Sequence, residues 1–246
     1  MSDFWRCKNP FYRRVSFNEA NKTLYIYNYG CNWDCIICTY RIKLPEKTRI
    51  ALEEIMDVMD VYARKGLIQK VRFLGGEPLI NPHLKKLAKF ADSLNLTVGL
   101  GHTNLSMMPP PEVTELIVGI KAYSPELHKK YTGGFDSRIV FSNIKRCYDR
   151  GIKLKANIVY VPGFVGCDEI ELVAKALSEI SNEIPLHIIG YIPVPGGPKR
   201  SPTEIELAQC SKRVSKYLKI VTWSLPKYPD YKKAYKSVTI LPKPQF

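Results

Sequence analysis

Lys22–Cys38 reads KTLYIYNYGCNWDCIIC, and Lys70–Pro78 reads KVRFLGGEP. In each, a run rich in β-formers stops at glycine and gives way to side chains that carry chemistry. Between them, Ala51–Arg64 sets Leu52, Ile55, Met56, Met59 and Val61 toward one side at helical spacing. Strand, helix and strand in that order make a βαβ unit, which implies a parallel pair joined by a right-handed crossover.

The rhythm continues along the chain. Pro82–Leu94 reads as a helix with proline at its start, and Leu96–Gly101 as a strand. Met108-Pro109-Pro110-Pro111 is a rigid connection before a strand over Leu116–Ala122. Helices follow near Pro125–Tyr131 and over Ser137–Asp149, the second capped by Gly151. Lys153–Val161 is a strand, Asp168–Ser181 a helix with Asp168 at its N-cap, and Leu186–Ile192 a strand. Thr203–Leu218 is a helix, with a short last strand over Lys219–Trp223. Six strands alternating with helices predict an α/β fold, an open partial (β/α)6 TIM-like barrel of parallel strands. The expected organisation is one barrel domain over residues 1–225, with its core at about 20–223, and a basic tail over 226–246 that wraps the body.

The 246 residues are 45% hydrophobic and 24% charged, which excludes general disorder. No apolar run is long enough to span a bilayer, and the polar, aromatic N-terminus is unlike a signal peptide. The expectation is a soluble cytoplasmic protein with no membrane partner. Of the net charge of +14, residues 199–246 contribute 11 Lys/Arg against 3 Asp/Glu. Such a basic flank suits an anionic partner such as RNA. The favoured reading is a solvated surface, because no base-reading motif accompanies it.

Seven cysteines, an odd number, argue against a complete disulfide framework. Cys31, Cys35 and Cys38 fall within eight residues at C-x3-C-x2-C spacing, on the loop after the first strand of the alternating series. Three thiolates can each ligate one iron of a cubane cluster and leave the fourth iron open for a ligand. The competing reading is structural zinc, which needs a fourth ligand; Cys7 is the available recruit. Cys147, Cys167 and Cys210 read as isolated thiols, His83 and His128 as surface residues, and His187 as a core histidine. Trp33 is placed to shield the cluster from solvent.

In such folds chemistry gathers at the C-terminal ends of the strands. The cysteines, Gly75-Gly76-Glu77-Pro78, His102-Thr103-Asn104, Lys121, Asn157 and Tyr191 would all face one rim. The cysteine triplet and the GGE motif, in this order and separation, resemble the signature of the radical S-adenosylmethionine (SAM) superfamily, over roughly residues 20–223. Within it the chain is most similar to the pyruvate formate-lyase-activating enzyme group. Ile120–Gly133 (IKAYSPELHKKYTG) and Val159–Gly163 (VYVPG) carry that similarity.

The resemblance implies a [4Fe-4S] cluster held by Cys31, Cys35 and Cys38, with SAM chelating the open iron. Reductive cleavage would give a 5′-deoxyadenosyl radical that abstracts hydrogen. It further implies cofactor contacts from Gly75, Gly76 and Glu77, from Thr103 and Asn104, from Lys121 to the cofactor carboxylate, and from Asn157. Ile37 would pack near adenine where many relatives carry an aromatic residue, so stacking would fall to another side chain such as Tyr40. Asp is common in the group where this chain has His102 and Gly119, which bears on the substrate more than on the chemistry. The expected partners are a one-electron donor of ferredoxin or flavodoxin type and the glycine loop of a glycyl radical enzyme. The rivals are the same radical acting on RNA or a biosynthetic substrate, and a non-catalytic zinc- or cluster-binding module.

Overall fold

The computed structural model describes residues 3–42, 44–226 and 237–242. Among them, nine strands join in one sheet: β1 (Phe11–Asn18), β2 (Thr23–Tyr29), β3 (Lys70–Leu74), β4 (Thr97–Thr103), β5 (Val113–Ile120), β6 (Lys153–Tyr160), β7 (Leu186–Gly190), β8 (Val221–Ser224) and β9 (Val238–Leu241). The order is β8-β7-β6-β5-β4-β3-β2-β1-β9. β2 through β8 run parallel, each beside its neighbour in sequence. The helices are α1 (Leu52–Arg64), α2 (Leu84–Ser93), α3 (Pro125–Thr132), α4 (Ser137–Asp149), α5 (Cys167–Ile180) and α6 (Glu204–Val214). The sheet does not close: β8 and β9 are its two edges. The expected open (β/α) arrangement is therefore present, with its six strands and the short seventh.

Two strands were not expected. β1 pairs antiparallel with β2, and β9 pairs antiparallel with β1. Part of the C-terminal segment is thus sheet: Leu241 lies opposite Val15 and is buried. The remainder of the expected tail, residues 227–236 and 243–246, lies outside the described residues.

Several boundaries shift. The strand expected at Leu116–Ala122 starts earlier, at Val113, directly after the proline run, and ends at Ile120. The turn beyond it is held by Glu169 on α5, whose carboxylate accepts from the main-chain amides of Tyr123 and Ser124. Asp168 is not an N-cap: Gly166 is, and Asp168 sits in the first turn of α5 paired with Arg213. Thr203 does cap α6, in a reciprocal box with Glu206.

Alternation along the strands divides the sheet into two unlike faces. Leu24 and Ile26, Val71 and Phe73, Val98 and Leu100, Leu116 and Val118, Leu154 and Ala156, and Leu186 and Ile188 pack in the core with the buried faces of the helices. The alternate residues form the concave face. They include Tyr25 and Tyr27, Lys70 and Arg72, Glu115, Lys155 and Asn157, His187, and Thr222. A closed barrel fills that face with branched apolar side chains. Here it is polar, and solvent reaches it.

Candidate active site

The strand ends build a cavity of about 560 Å³ at the C-terminal rim of the sheet. Cys31, Cys35 and Cys38 all line it, with Ile37, Tyr40, Gly76, Glu77, His102, Thr103, Asn104 and Lys121. Its apolar wall comes from Val159, Ile189 and Tyr191 on one side and from Phe4 and Trp5 on the other.

The cysteine loop leaves β2 at Gly30 and is pinned at both ends. The Cys31 amide donates to the Phe4 carbonyl at 2.9 Å, and the Cys7 amide to the Cys31 carbonyl at 3.0 Å. Further along, the Asp34 and Ile36 amides donate to the Thr132 and Tyr131 carbonyls at the end of α3. Arg41 donates through Nε to the Cys35 carbonyl at 3.1 Å, bonds the Asp34 carboxylate, and lies 4.8 Å over the Trp5 ring. The cysteine loop is thus held by main-chain bonds to two separate elements, the N-terminal segment and α3, and by the Arg41 side chain.

The GGE loop comes extremely close to that of the cysteines. A Cβ on Gly76 would stand 2.0 Å from the Gly30 oxygen, and the residue has a positive φ of 52°. Only glycine fits, and the first reason is loop-to-loop contact rather than approach to a ligand. Asn28, fully buried on β2, clamps the junction: its Nδ2 donates to the Gly30 oxygen at 3.0 Å and to the Glu77 oxygen at 2.9 Å. Asn81 donates to the remaining Asn28 oxygen at 2.8 Å. The Glu77 carboxylate turns inward and accepts from Thr103 Oγ1 at 2.8 Å, from the Leu79 amide at 3.0 Å, and from the Asn104 amide. Burial outweighs those bonds and lifts its pKa to about 7.

Asn104 is equally committed. Its Nδ2 donates to Asn32 Oδ1 at 2.8 Å, and its Oδ1 accepts from the Ser106 amide at 2.9 Å. Glu77, Thr103 and Asn104 therefore brace the rim through bonds to one another. Lys121 stands just beyond β5, in the cavity, and its charge acts on both Cys35 and Glu77. Asn157 is not brought to the cavity; it lies lower on the concave face, between Gly119 and His187 in register.

Tyr191 reaches the cavity as its strand-end position predicted, whereas Phe4, Trp5 and Tyr131 were not expected there. Phe4 is wholly buried and meets Tyr40 edge-on at 4.7 Å. No spacing in the sequence marks an N-terminal dipeptide as the wall of a site formed by later residues. Trp33 is 1% exposed and packs edge-on against His128 at 5.1 Å. His128 is consequently not a surface residue: it is buried, with Nδ1 against the Phe135 carbonyl at 2.7 Å. His187 is not a core residue; it is half-exposed on the concave face and bonds Thr222 and Ser224.

The thiols carry the burden of their setting. Burial and the neighbouring thiols push the Cys31 pKa well up, and burial pushes Cys35 up to about 12. A bound cation reverses that logic by stabilising the thiolates. Among the described residues, no three His, Cys, Asp or Glu side chains are grouped for a single metal ion. Cys31, Cys35 and Cys38 instead line the one cavity at separate points of its wall. That arrangement fits a polynuclear cluster, in which each sulfur binds a different iron.

Residues 25–176, more than half of the chain, match the model of the radical SAM superfamily. The chain belongs to the radical SAM superfamily. Its cofactors are accordingly a [4Fe-4S] cluster and SAM. A Methanocaldococcus jannaschii protein, provisionally named a glycyl-radical enzyme activating enzyme, is 26% identical over 92% of this chain and 89% of its own length. A GTP 3′,8-cyclase of Rhizobium etli is 27% identical over 66% of this chain, which spans about half (49%) of that relative. Among solved structures, Streptococcus suis SuiB bound to its precursor peptide aligns over 82% of this chain and 48% of its own, with a TM-score of 0.63 and 15% identity. A domain of a pyruvate-formate lyase-activating enzyme from Bacteroides vulgatus aligns over 64% of this radical SAM chain and 99% of its own, with a TM-score of 0.52 and 16% identity. These two share the fold. No helix among the described residues is long and apolar enough to cross a membrane.

Proposed function

We propose that Cys31, Cys35 and Cys38 hold the cluster, that SAM occupies the rim cavity, and that the chain removes a hydrogen atom from an organic substrate on the concave face. The observation that carries this reading is the meeting of all three thiols with Gly76, Glu77 and Lys121 around one cavity. When bound, the cluster and SAM supply the 5′-deoxyadenosyl radical. The protein's residues do the rest. Lys121 offers a cation to the SAM carboxylate. The braced Glu77–Thr103–Asn104 rim sets the floor, while Phe4, Trp5, Tyr40 and Ile37 exclude water. An external one-electron donor of ferredoxin or flavodoxin type completes the system.

Two substrate readings follow. The name of the Methanocaldococcus relative, which this chain matches nearly end to end, supports a glycine in the loop of a partner enzyme. The charged concave face and the cyclase relatives support a small biosynthetic substrate. RNA draws only on the basic C-terminal segment.

The test is anaerobic. The protein is reconstituted with iron and sulfide, reduced, and given SAM, and 5′-deoxyadenosine is quantified. Production by the parent and none by Cys31→Ala, Cys35→Ala or Cys38→Ala is the expected result. Stoichiometric zinc in place of the cluster would overturn the assignment. A glycyl radical signal in an added partner enzyme would decide for the loop.

A further inference from the structure

Below the cofactor cavity the concave face changes character. Arg72 and Lys70 on β3 both reach Glu115 on β5, at 2.6 Å and 2.9 Å. They cross β4 at Gly99, where a Cβ would stand 3.0 Å from the Glu115 side chain. One carboxylate thus serves two cations. Arg14, across the β1–β2 pair, lies 3.8 Å over the Tyr27 ring, and its buried Nε has no hydrogen-bond partner. Lys155 rises from the same face of β6.

His102 and His187 stand among these groups. His187 spends both ring nitrogens on Thr222 Oγ1 and Ser224 Oγ, at 2.8 Å and 2.9 Å. His102 is exposed to solvent inside the concavity, and among the described residues neither of its ring nitrogens is bonded. Protein crowding and the charges of Lys121 and Arg72 hold its pKa down at about 4. An excess of positive charge this close to an unbonded neutral imidazole is a setting that an anion relieves. Guanidinium and imidazole N–H groups give such an anion directed, charge-assisted bonds.

We propose that this part of the concave face, between Arg72, His102 and His187, is a binding site for the acidic group, phosphate or carboxylate, of a small-molecule substrate. The inference rests on the reading of the cavity above as the radical site. It deepens that reading by choosing a small anion over the neutral main chain of a glycine loop. Arg72 and His102 fix the anion, and the substrate body extends toward the cofactor cavity that His102 also lines.

Calorimetry on the cluster-loaded full chain at physiological salt tests it, with pyrophosphate, succinate and a short RNA as probes. The expected result is saturable binding of pyrophosphate or of succinate; whichever binds names the acidic group. Arg72→Gln and His102→Gln should each weaken that binding about tenfold or more, the worth of one charge-assisted bond. Glu115 keeps Lys70 as partner in Arg72→Gln, and a melting curve checks the fold of each variant. If one variant fails to fold, the other decides. No binding of either small anion up to about 10 mM, or binding unchanged in a folded variant, would overturn the proposal. RNA binding tighter than both small anions and weakened by the same variants would also overturn it, in favour of a nucleic acid. Calorimetry needs no SAM cleavage, so a failure here beside normal 5′-deoxyadenosine formation leaves the radical assignment standing. Anion binding without 5′-deoxyadenosine would do the reverse.

Discussion

Asn104 at the end of β4 donates to Asn32 in the cysteine loop, Nδ2 to Oδ1, at 2.8 Å. That single bond ties the strand end which carries the Glu77 brace to the residue that follows Cys31. Asn32 passes the connection on to Ser106 Oγ at 2.9 Å. Asn104→Ala deletes this link and the bond to the Ser106 amide while leaving its own main-chain donation to Glu77. Each lost buried bond costs about 1–3 kcal/mol. The expected outcome is a lower urea midpoint at unchanged slope, together with slower 5′-deoxyadenosine formation. A midpoint equal to the parent's would show that the brace is idle.

Gly76→Ala is the sharper lesion. The added methyl carbon would fall 2.0 Å from the Gly30 oxygen, well inside contact distance, at a residue that already has positive φ. The GGE loop and the cysteine loop cannot both keep their places. Loss of more than about 2 kcal/mol of stability is expected, because overpacking and backbone strain add. Cluster content after reconstitution, read by iron analysis, should fall with it.

Glu77 gives the apoprotein a pH signature. Its folded pKa of about 7 lies above the ordinary carboxylate value of 4.5, because burial disfavours the charged form. The folded state therefore holds a proton that the unfolded state releases. The stabilising contribution is fully present below about pH 4.5 and is lost as pH rises through about 7, a change of roughly 3 kcal/mol. Denaturant titrations at several pH values should show that decline in the parent. In Glu77→Gln the decline over this window should flatten, whatever the variant's absolute stability. An identical slope in both proteins would assign the titration to another group.

Phe4 tests the N-terminal wall. It is wholly buried among Trp5, Tyr29 and Tyr40, and it lines the cavity. Phe4→Ala should cost about 3–5 kcal/mol, as large aromatic deletions do. It should also admit water and oxygen to the cluster, read as faster loss of the iron–sulfur absorbance in air. Phe4→Leu should restore most of the stability.

The parallel part of the sheet was legible because each βα step repeats the same two periods, and a parallel strand buried against helices announces itself by composition. The β1 strand was hidden for the opposite reason. Arg13 and Arg14 interrupt its pattern at a bulge, where the register slips between Tyr12 and Arg14. Its partner β9 lies more than two hundred residues away in sequence. His128 reads as a surface residue on the polar helix LHKKYT. Only the packing of Trp33 and Phe135 against that helix buries it.

By itself, the sequence determined the alternating architecture, the radical SAM signature and the C-x3-C-x2-C spacing of three thiols, since these are local: spacing, periodicity and composition within short windows. The tertiary structure alone decided what surrounds them. It brought Phe4 and Trp5 back to the cavity, committed Glu77 and Asn104 to bracing one another, set Asn157 below the rim, and left an open concave face that carries Arg72, His102 and His187. Those relations depend on the register and curvature of nine strands, which no short stretch of chain encodes, because each residue's neighbour across the sheet is chosen by the packing of the whole.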